Sequence, residues 1–150
     1  MMLRVAVQAE PFDAGAEIAA LAASGAGGLA SFIGLVRGGG GLQALRLEHY
    51  PGMTERAIAR VAQEAARRFD LLGCTVIHRI GDLEVAAQIV LVLAASRHRH
   101  SALDATGYMI DWLKTGAPFW KQELFADGRT AWVEAREADE TAAARWDGAG

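Results

Sequence analysis

The sequence predicts a single α+β domain over residues 1–150, built around a mixed and largely antiparallel sheet. The chain of 150 residues is long enough for one hydrophobic core but short for two. Apolar residues alternate in several short segments and recur at helical spacing in others, so both strands and helices are expected. Consecutive strand segments follow one another closely, which suits antiparallel pairing better than the long crossovers of a doubly wound sheet.

Two strands flank a helix in the first part of the chain. Residues 3–8 alternate in hydropathy and predict a strand. A helical pattern follows over 13–23 and ends at Ser24-Gly25. Residues 27–36 predict the second strand. Four glycines at 38–41 then form a loop with little conformational restriction, and because they lead into another strand, a nucleotide-binding loop is not expected.

The clearest helix is predicted over residues 54–69, after a strand at 45–49. Its apolar side chains, among them Ile58, Val61 and Ala65, fall on one face at helical spacing. Charged side chains occupy the opposite face, where we expect them to meet water. The segment is therefore predicted to be an amphipathic helix that packs on the sheet through one side.

The second half of the chain predicts three further strands and two helices. Strands are expected at 75–80, 89–95 and 132–136, and the unbroken apolar run of 89–95 indicates burial on both faces. A helix is expected at 101–114 and a short one at 138–146. The predicted order is therefore β-α-β-β-α-β-β-α-β, followed by the terminal helix.

Charge and cysteine content exclude several classes of protein. The formal net charge of −3 argues against a general binder of nucleic acid or anionic membranes. Cys74 is the single cysteine, so neither an internal disulfide nor a cysteine-based metal cage can form, and we expect it to be buried in a strand. No apolar run approaches the ~20 residues of a membrane span, and the first ten residues lack the apolar core of a signal peptide. A cytoplasmic protein is expected.

A basic segment, Ser-Arg-His-Arg-His-Ser at 96–101, lies between a predicted buried strand and a helix. Free amides at the helix start, with His98 and Arg99 beside them, would form an anion site. A solvated basic turn is an equally good interpretation. Ser101 and Asp104 have the spacing of a helix-capping pair. The two histidines of the segment are flanked by arginines, which repel a cation, so we do not expect a metal site.

The second candidate feature is a pair of lysines after the helix predicted at 101–114. Lys114 falls on the same helical stripe as Leu103, Gly107 and Ile110, which predicts a partly desolvated lysine suited to acid/base or nucleophilic chemistry. A snorkelling lysine at the helix end is the simpler alternative, and it is preferred on this pattern alone. Lys121 follows an aromatic segment that can fix a loop or stack on a flat ligand. Gly107 in a helix interior indicates that another group packs closely against it.

Several blocks of the sequence closely resemble the family of molybdopterin synthase catalytic subunits. The likeness runs in order, at similar spacing, from about Ala30 to Trp146, and is far more specific than a short motif. The blocks are Leu-Glu-His-Tyr-Pro-Gly-Met-Thr-Glu at 47–55, Val-Ile-His-Arg-Ile-Gly at 76–81, the segment 113–121 with both lysines, and Trp-Val-Glu-Ala-Arg-Glu at 132–137.

This resemblance implies an α/β hammerhead-type fold and a homodimer that binds one small ubiquitin-like subunit at each end, giving a heterotetramer. The small subunit ends in Gly-Gly with a thiocarboxylate. It would deliver sulfur to cyclic pyranopterin monophosphate, which forms the dithiolene of molybdopterin in molybdenum cofactor biosynthesis. The resemblance implies no metal and no cofactor of the large subunit's own.

The resemblance also implies a set of site residues. Lys114 would stabilise negative charge on the partner's carbonyl oxygen, and Lys121 would serve as proton donor or base. The remaining residues would bind substrate, the basic ones through its anions: Phe32, Arg37, His98, Arg99 and Arg136. This chain departs from the family at the short glycine loop 38–41, at Val85-Ala86-Ala87 and at Gly116, which puts the contribution of these segments in doubt.

Two other functions are compatible with parts of the sequence. A protein that binds a ubiquitin-like tail without chemistry would share the fold, but the retained Lys114 and Lys121 argue against it. A metal-dependent phosphate-ester hydrolase could use His98 and His100, although no carboxylate cluster accompanies them to hold the metal.

Overall fold

The computed structural model describes residues 1–133 and 137–147, and these residues form eight strands and four helices. The last strand before residues 134–136 ends at Trp132, and α4 begins directly after these three residues. In chain order the elements are β1 (Met2–Gln8), α1 (Ala14–Ala22), β2 (Gly28–Leu35), β3 (Leu42–His49), α2 (Met53–Arg68), β4 (Leu71–Arg79), β5 (Gly81–Glu84), β6 (Gln88–Ser96), α3 (Arg99–Thr115), β7 (Phe119–Phe125), β8 (Thr130–Trp132) and α4 (Glu137–Ala144).

The first sheet has the strand order β1-β4-β6-β2 and forms the centre of the core. β1 pairs parallel with β4, whereas β4–β6 and β6–β2 are antiparallel. Val90, Val92 and Ala94 of β6 belong to the core cluster that α2 and α3 complete. Leu91 and Leu93 between them face a second cluster on the side of α1. β6 is therefore covered on both faces, which confirms the expected burial of residues 89–95.

The second sheet has the order β5-β3-β7-β8, and all its pairings are antiparallel. The chain passes from the first sheet to the second at Ile80, between β4 and β5. Gly81 directly after it has a φ of 87°, a left-handed conformation that favours glycine. Leu47 of β3 and Leu83 of β5 are buried at 1% and 3% exposure, so this sheet packs its inner face on the shared core.

The α+β class with mixed, largely antiparallel pairing is confirmed, but the strands form two sheets instead of one. β5 and β7 were not predicted; Phe119, expected in an aromatic loop, begins β7. Most other predicted elements are present, with bounds shifted by a few residues. The final strand is seen as Thr130–Trp132, and residues 134–136 of the expected strand lie outside the described residues.

The predicted orientation of α3 is wrong. Leu103, expected on the core-facing stripe, is 60% exposed, and Lys114 is exposed as well. The buried face instead carries the following side chains: Ala102, Ala105, Thr106, Met109 and Leu113. The helix also begins two residues earlier than predicted, so His98 is the N-cap residue, without a side-chain capping bond, and the expected Ser101–Asp104 cap is absent from the described helix start.

α4 is attached to the rest of the domain through Trp146. Its indole Nε1 donates a hydrogen bond to Asp111 Oδ2 at 2.7 Å, and Arg145 forms an ion pair with the same carboxylate at 3.0 Å. The Arg68 guanidinium lies 5.6 Å from the centre of the Trp146 ring. A Cβ placed on Gly107 would lie 3.1 Å from Arg145 Nη2, which confirms that a group packs closely on this glycine.

Helices long and apolar enough to cross a membrane are absent from the described residues.

Candidate active site

A cleft of about 750 Å³ opens at the C-terminal ends of β2 and α3, where the two sheets meet. Its walls come from β2 and the glycine loop that follows, from β3 and β7, from the last turn of α3, and from α4. Its charged lining residues are Arg37, Lys114, Lys121, Glu123 and Asp139. The cleft therefore offers three cationic groups and two carboxylates around an otherwise largely apolar wall.

Four of the seven site residues expected from the sequence line this cleft: Phe32, Arg37, Lys114 and Lys121. Phe32 lies in the edge strand β2 and is 36% exposed, so its phenyl ring is accessible at the cleft. Arg37 follows the same strand at the start of the glycine loop. These two residues reach the cleft because β2 runs along its rim.

Lys114 lies in the last turn of α3, one residue after the buried Leu113. An ammonium group there is favoured by the negative end of the helix dipole. Lys114 is exposed at the cleft and does not face the core, so the desolvation expected from its helical stripe is not present. What places Lys114 in the site is the end of the helix at the rim, since Gly116 forms the C-cap.

Lys121 lies in the middle of β7, where alternate side chains share a face. Phe119, Lys121 and Glu123 therefore point together, and all three line the cleft. In the antiparallel register Leu47 of β3 stands opposite Lys121, and His49 stands opposite Phe119. Lys114 and Lys121 are the only two lysines in the chain; all other basic groups among the 15 Lys and Arg residues are arginines.

Behind the cleft lies a buried histidine that stacks on Phe119. The ring of His78, in β4, is 3.9 Å from the Phe119 ring, centre to centre, with an angle of 20° between the planes. His78 is 4% exposed, and its Nδ1 lies 2.8 Å from the carbonyl oxygen of Arg79. Because a carbonyl only accepts, Nδ1 carries the hydrogen and donates it. Burial is the main cause that lowers the pKa of His78 to about 3, and the nearby lysines add to it.

His49 approaches Phe119 from the neighbouring strand. Its ring centre is 6.3 Å from that of Phe119, and the planes are tilted by 34°. His49 Nδ1 is buried and has no hydrogen-bond partner within the described part of the chain. Phe119 is thus close to two imidazole rings, and it also lines the cleft.

His98 and Arg99 do not line this cleft in the same protomer. They lie exposed at the start of α3, and fifteen residues of helix separate Arg99 from Lys114, which is about 22 Å along the axis. Their backbone packs on the beginning of β2: a Cβ on Gly28 would lie 3.3 Å from Arg99 Cα, and one on Gly27 would lie 2.5 Å from Arg97 O. The expectation that they join the lysines is therefore not met within one chain.

Arg136, the last of the seven expected residues, lies outside the described residues. Its sequence neighbours on either side reach the cleft: Val133 after β8 and Asp139 in α4 both line it.

Sequence reasoning missed several residues that shape the cleft. Asp139 and Glu123 add negative charge, Phe119 lines the cleft, and His78 stacks on Phe119 behind it. For Phe119 and Glu123 the only signal was their spacing of two residues from Lys121, which places all three side chains on one face once the segment forms a strand. For His78 and Asp139 the sequence carries no such signal, since their positions depend on how separate elements pack.

Within residues 1–133 and 137–147 no group of three or more His, Cys, Asp and Glu side chains is placed to hold a metal ion. His98 and His100 are both exposed at the start of α3.

Comparison with known proteins gives a consistent result. The family described as "MoaE protein" matches residues 7–116. The molybdopterin synthase catalytic subunit of Cereibacter sphaeroides is 51% identical over 147 residues, covering 96% of this chain and 100% of the relative. That of Escherichia coli is 47% identical and covers 95% of this chain and 97% of the relative.

A solved structure, the molybdopterin biosynthesis MoaE protein from Burkholderia ambifaria, has the same fold. It superposes with a TM-score of 0.82 at 44% sequence identity, covering 97% of this chain and 98% of the other.

Proposed function

This chain belongs to the MoaE protein family, and from this premise we propose that it is the catalytic subunit of a molybdopterin synthase, a sulfurtransferase of molybdenum cofactor biosynthesis. The proposed reaction moves sulfur from the C-terminal thiocarboxylate of a small ubiquitin-like partner to cyclic pyranopterin monophosphate, forming the dithiolene of molybdopterin. The observation that carries the proposal is the cleft, because both lysines of the chain and Arg37 line it.

The chemistry of the substrates explains the charge of this cleft. The phosphate of the pterin and the thiocarboxylate of the tail are both anions, and the chain as a whole carries a net charge of −3. A local group of cations is needed to hold them against that background. Arg37 supplies one such group next to the two lysines, and Phe32 offers an apolar surface for the flat pterin.

The two lysines are proposed to have separate roles. The sulfur of the tail bonds to the pterin side chain, and water then attacks the terminal carbonyl carbon. This attack breaks the carbon–sulfur bond, leaves the sulfur on the pterin and releases the tail as a carboxylate. Lys114 would stabilise the negative charge that the attack places on the carbonyl oxygen. Lys121 would donate or accept the proton when the pterin side chain loses oxygen. The position of Lys121 between Phe119 and Glu123 on one strand face supports this role, since all three residues line the cleft.

His98 and Arg99 are proposed to act on the cleft of a second protomer in a homodimer. β2 is an edge strand, with Gly28 against Arg99 at its start and Phe32 near the cleft towards its end. Antiparallel pairing of two such edges across a twofold axis would bring the start of one β2 to the end of the other. The basic groups of one protomer would then reach the lysines of its partner.

Arg136 is included among the proposed anion-binding residues on the strength of the family resemblance. The complete assembly is proposed to be a heterotetramer of two large and two small subunits. We propose a cytoplasmic location, where the thiocarboxylate of the carrier and the thiol of Cys74 stay reduced.

The test is to mix the protein with a thiocarboxylated small subunit and cyclic pyranopterin monophosphate and to measure molybdopterin by mass spectrometry. Lys114→Ala is expected to lower the rate by about 10²–10³-fold, the usual cost of removing an oxyanion-stabilising group. Lys121→Ala should lower it by about 10²–10⁴-fold, as for the loss of a general acid or base. Arg60→Ala, an exposed substitution in α2, is the control and should leave the rate unchanged.

Loss of activity in Lys121→Ala with full activity in Lys114→Ala would reverse the two roles. Binding of the small subunit without any product from the unmodified protein would support the interaction-only function instead.

A further inference from the structure

We propose that His78 is a positioning residue for sulfur transfer: by stacking on Phe119 it joins the two sheets directly behind the cleft and sets the position of Lys121 relative to Lys114. The inference rests on the proposed function for the reaction it serves. His78 does not line the cleft, so it acts through Phe119 and not through contact with substrate.

The two lysines reach the cleft from different layers of the molecule. Lys114 is carried by α3, whose buried face packs on β2 and β6 of the first sheet. Lys121 is carried by β7 of the second sheet. The distance between their ammonium groups therefore depends on how the two layers are held together at this point, as well as on the three-residue link, 116–118, between α3 and β7.

The stack of His78 on Phe119 is a direct contact between those layers. His78 is the last buried residue of β4, two residues before the chain leaves the first sheet at Ile80. Phe119 is the first residue of β7, and Lys121 is the next residue on the same strand face. A centre-to-centre distance of 3.9 Å leaves no room for the start of β7 to move towards β4. The His78 ring therefore fixes the position of β7 at Phe119, two residues before Lys121.

The identity of the residue also has a physical reason. The Nδ1–H of His78 satisfies the carbonyl oxygen of Arg79 at the end of β4, while the face of the same ring packs on Phe119. Phenylalanine could provide the stack but not the hydrogen bond, and asparagine the hydrogen bond but not the stack. Because the ring stays uncharged near neutral pH, it can lie beside two lysines without repelling them.

Two substitutions of His78 test the ring stack and the hydrogen bond separately. His78→Phe keeps an aromatic ring against Phe119, and we expect kcat within about threefold of wild type. His78→Asn keeps a donor for Arg79 but loses the ring, and we expect kcat to fall by about ten- to a hundredfold, as for a small misplacement of a catalytic group. The apparent affinity for the small subunit should change less than twofold in both variants, since His78 lies behind the cleft.

A second measurement reports on the environment of the two lysines and does not require catalytic turnover. Reductive methylation with ¹³C-formaldehyde labels Lys114 and Lys121 and the N-terminal amine, because the chain has no other lysine. In His78→Asn the NMR signal and the titration midpoint of dimethylated Lys121 should shift, whereas in His78→Phe they should stay at the wild-type values. Phe119→Leu, which removes the stack from the other side, should reproduce the effect of His78→Asn.

Cys74→Ala is the matched control for lost packing. Cys74 lies in the same strand, four residues before His78, does not line the cleft, is fully buried and contacts Met109 at 3.4 Å. It should lower stability while leaving kcat and both lysine signals unchanged.

The proposal is overturned if His78→Asn retains wild-type kcat and lysine signals, or if His78→Phe loses activity as severely as His78→Asn. If the wild-type protein forms no molybdopterin, the proposed function fails, but the lysine signals still show whether His78 positions Lys121. If His78→Asn does not fold, Phe119→Leu decides by the same two readouts.

Discussion

His78 connects the chemistry of the cleft with the stability of the domain. It is the most strongly perturbed histidine in the described part of the chain, and burial is the first cause of its low pKa of about 3. The neighbouring charges act in the same direction, since Lys121, Lys114 and His49 each disfavour a second positive charge there. The backbone carbonyl of Arg79 opposes them but is outweighed by burial.

We predict that His78 makes the domain less stable as the pH falls from about 6.5 to about 3. In this window the unfolded chain binds a proton on His78 and the folded chain does not, so protonation favours unfolding. The stability lost through this group is roughly 4–5 kcal/mol over the full window. Urea unfolding of wild type and His78→Phe between pH 4 and 7 measures it. An identical pH dependence in both proteins would contradict this assignment.

At the scale of secondary-structure elements, α4 forms part of the wall of the cleft, and Trp146 and Arg145 after its end both contact Asp111 of α3. Asp139 of α4 lines the cleft, but the attachment lies beyond the helix end, where Trp146 bonds to Asp111 and meets Arg68. A second, smaller cavity of about 320 Å³ lies beside this attachment, and Thr115 lines both cavities. The last turn of α3, which carries Lys114, is thus common to the cleft and to the anchor.

Trp146→Phe is predicted to loosen α4 while leaving the two sheets intact. The substitution removes the donor to Asp111 and leaves that carboxylate with Arg145 alone, at a cost of about 1–3 kcal/mol. Hydrogen exchange of residues 139–147 should become faster and sulfur transfer slower. Trp132→Phe is the control, because Trp132 is 64% exposed and its indole has no hydrogen bond in the described structure. Unchanged exchange in Trp146→Phe would show that other contacts hold α4.

Most elements could be predicted because each has a strong local pattern. β6 is an unbroken apolar run, and α2 has a clear apolar face with Ile58 at its centre. β5 has only four residues and β7 mixes charged with aromatic side chains, so neither shows a clean period. The face of α3 was mispredicted because small side chains, Ala102 and Ala105, form its buried side, and these are weak signals of burial.

Only part of the site could be predicted from the sequence. Lys114 and Lys121 were identified from the sequence, and both line the cleft. The predicted helix already placed His98 and Arg99 at the opposite end from Lys114, but the sequence did not show that the cleft lies at the C-terminal end of this helix. The role of His78 depends on packing between separate elements: its Nδ1–H donates to the carbonyl oxygen of Arg79, and its ring stacks on Phe119.

At the scale of the whole molecule, the proposed action of His98 and Arg99 on the cleft of a second protomer makes a prediction about mixed dimers. Lys114→Ala and Arg99→Ala should each be inactive or strongly impaired alone. When the two variants are unfolded, mixed and refolded together, each mixed dimer contains one cleft with an intact Lys114 and an intact Arg99 from the other protomer. Activity should return to about a quarter of wild type for random pairing of equal amounts.

The control for this experiment is a mixture of Lys114→Ala with Lys121→Ala. Each cleft takes both of its lysines from one chain. Every chain in this mixture lacks one of the two lysines, so no mixed dimer contains an intact site. The proposal is contradicted if the control mixture regains activity, or if the mixture of Lys114→Ala with Arg99→Ala does not. The basic groups at the start of α3 would then not act on the cleft of the other protomer.

The distribution of lysine has a consequence for chemical selectivity. An acyl carbon brought by a carrier protein can be captured by any nearby primary amine, which would end the cycle in a stable amide. Arginine provides the remaining positive charge of this chain without offering such a nucleophile at neutral pH. Apart from the N-terminal amine, Lys114 and Lys121 are therefore the only primary amines of the chain, so capture of the acyl carbon is confined to these two cleft residues.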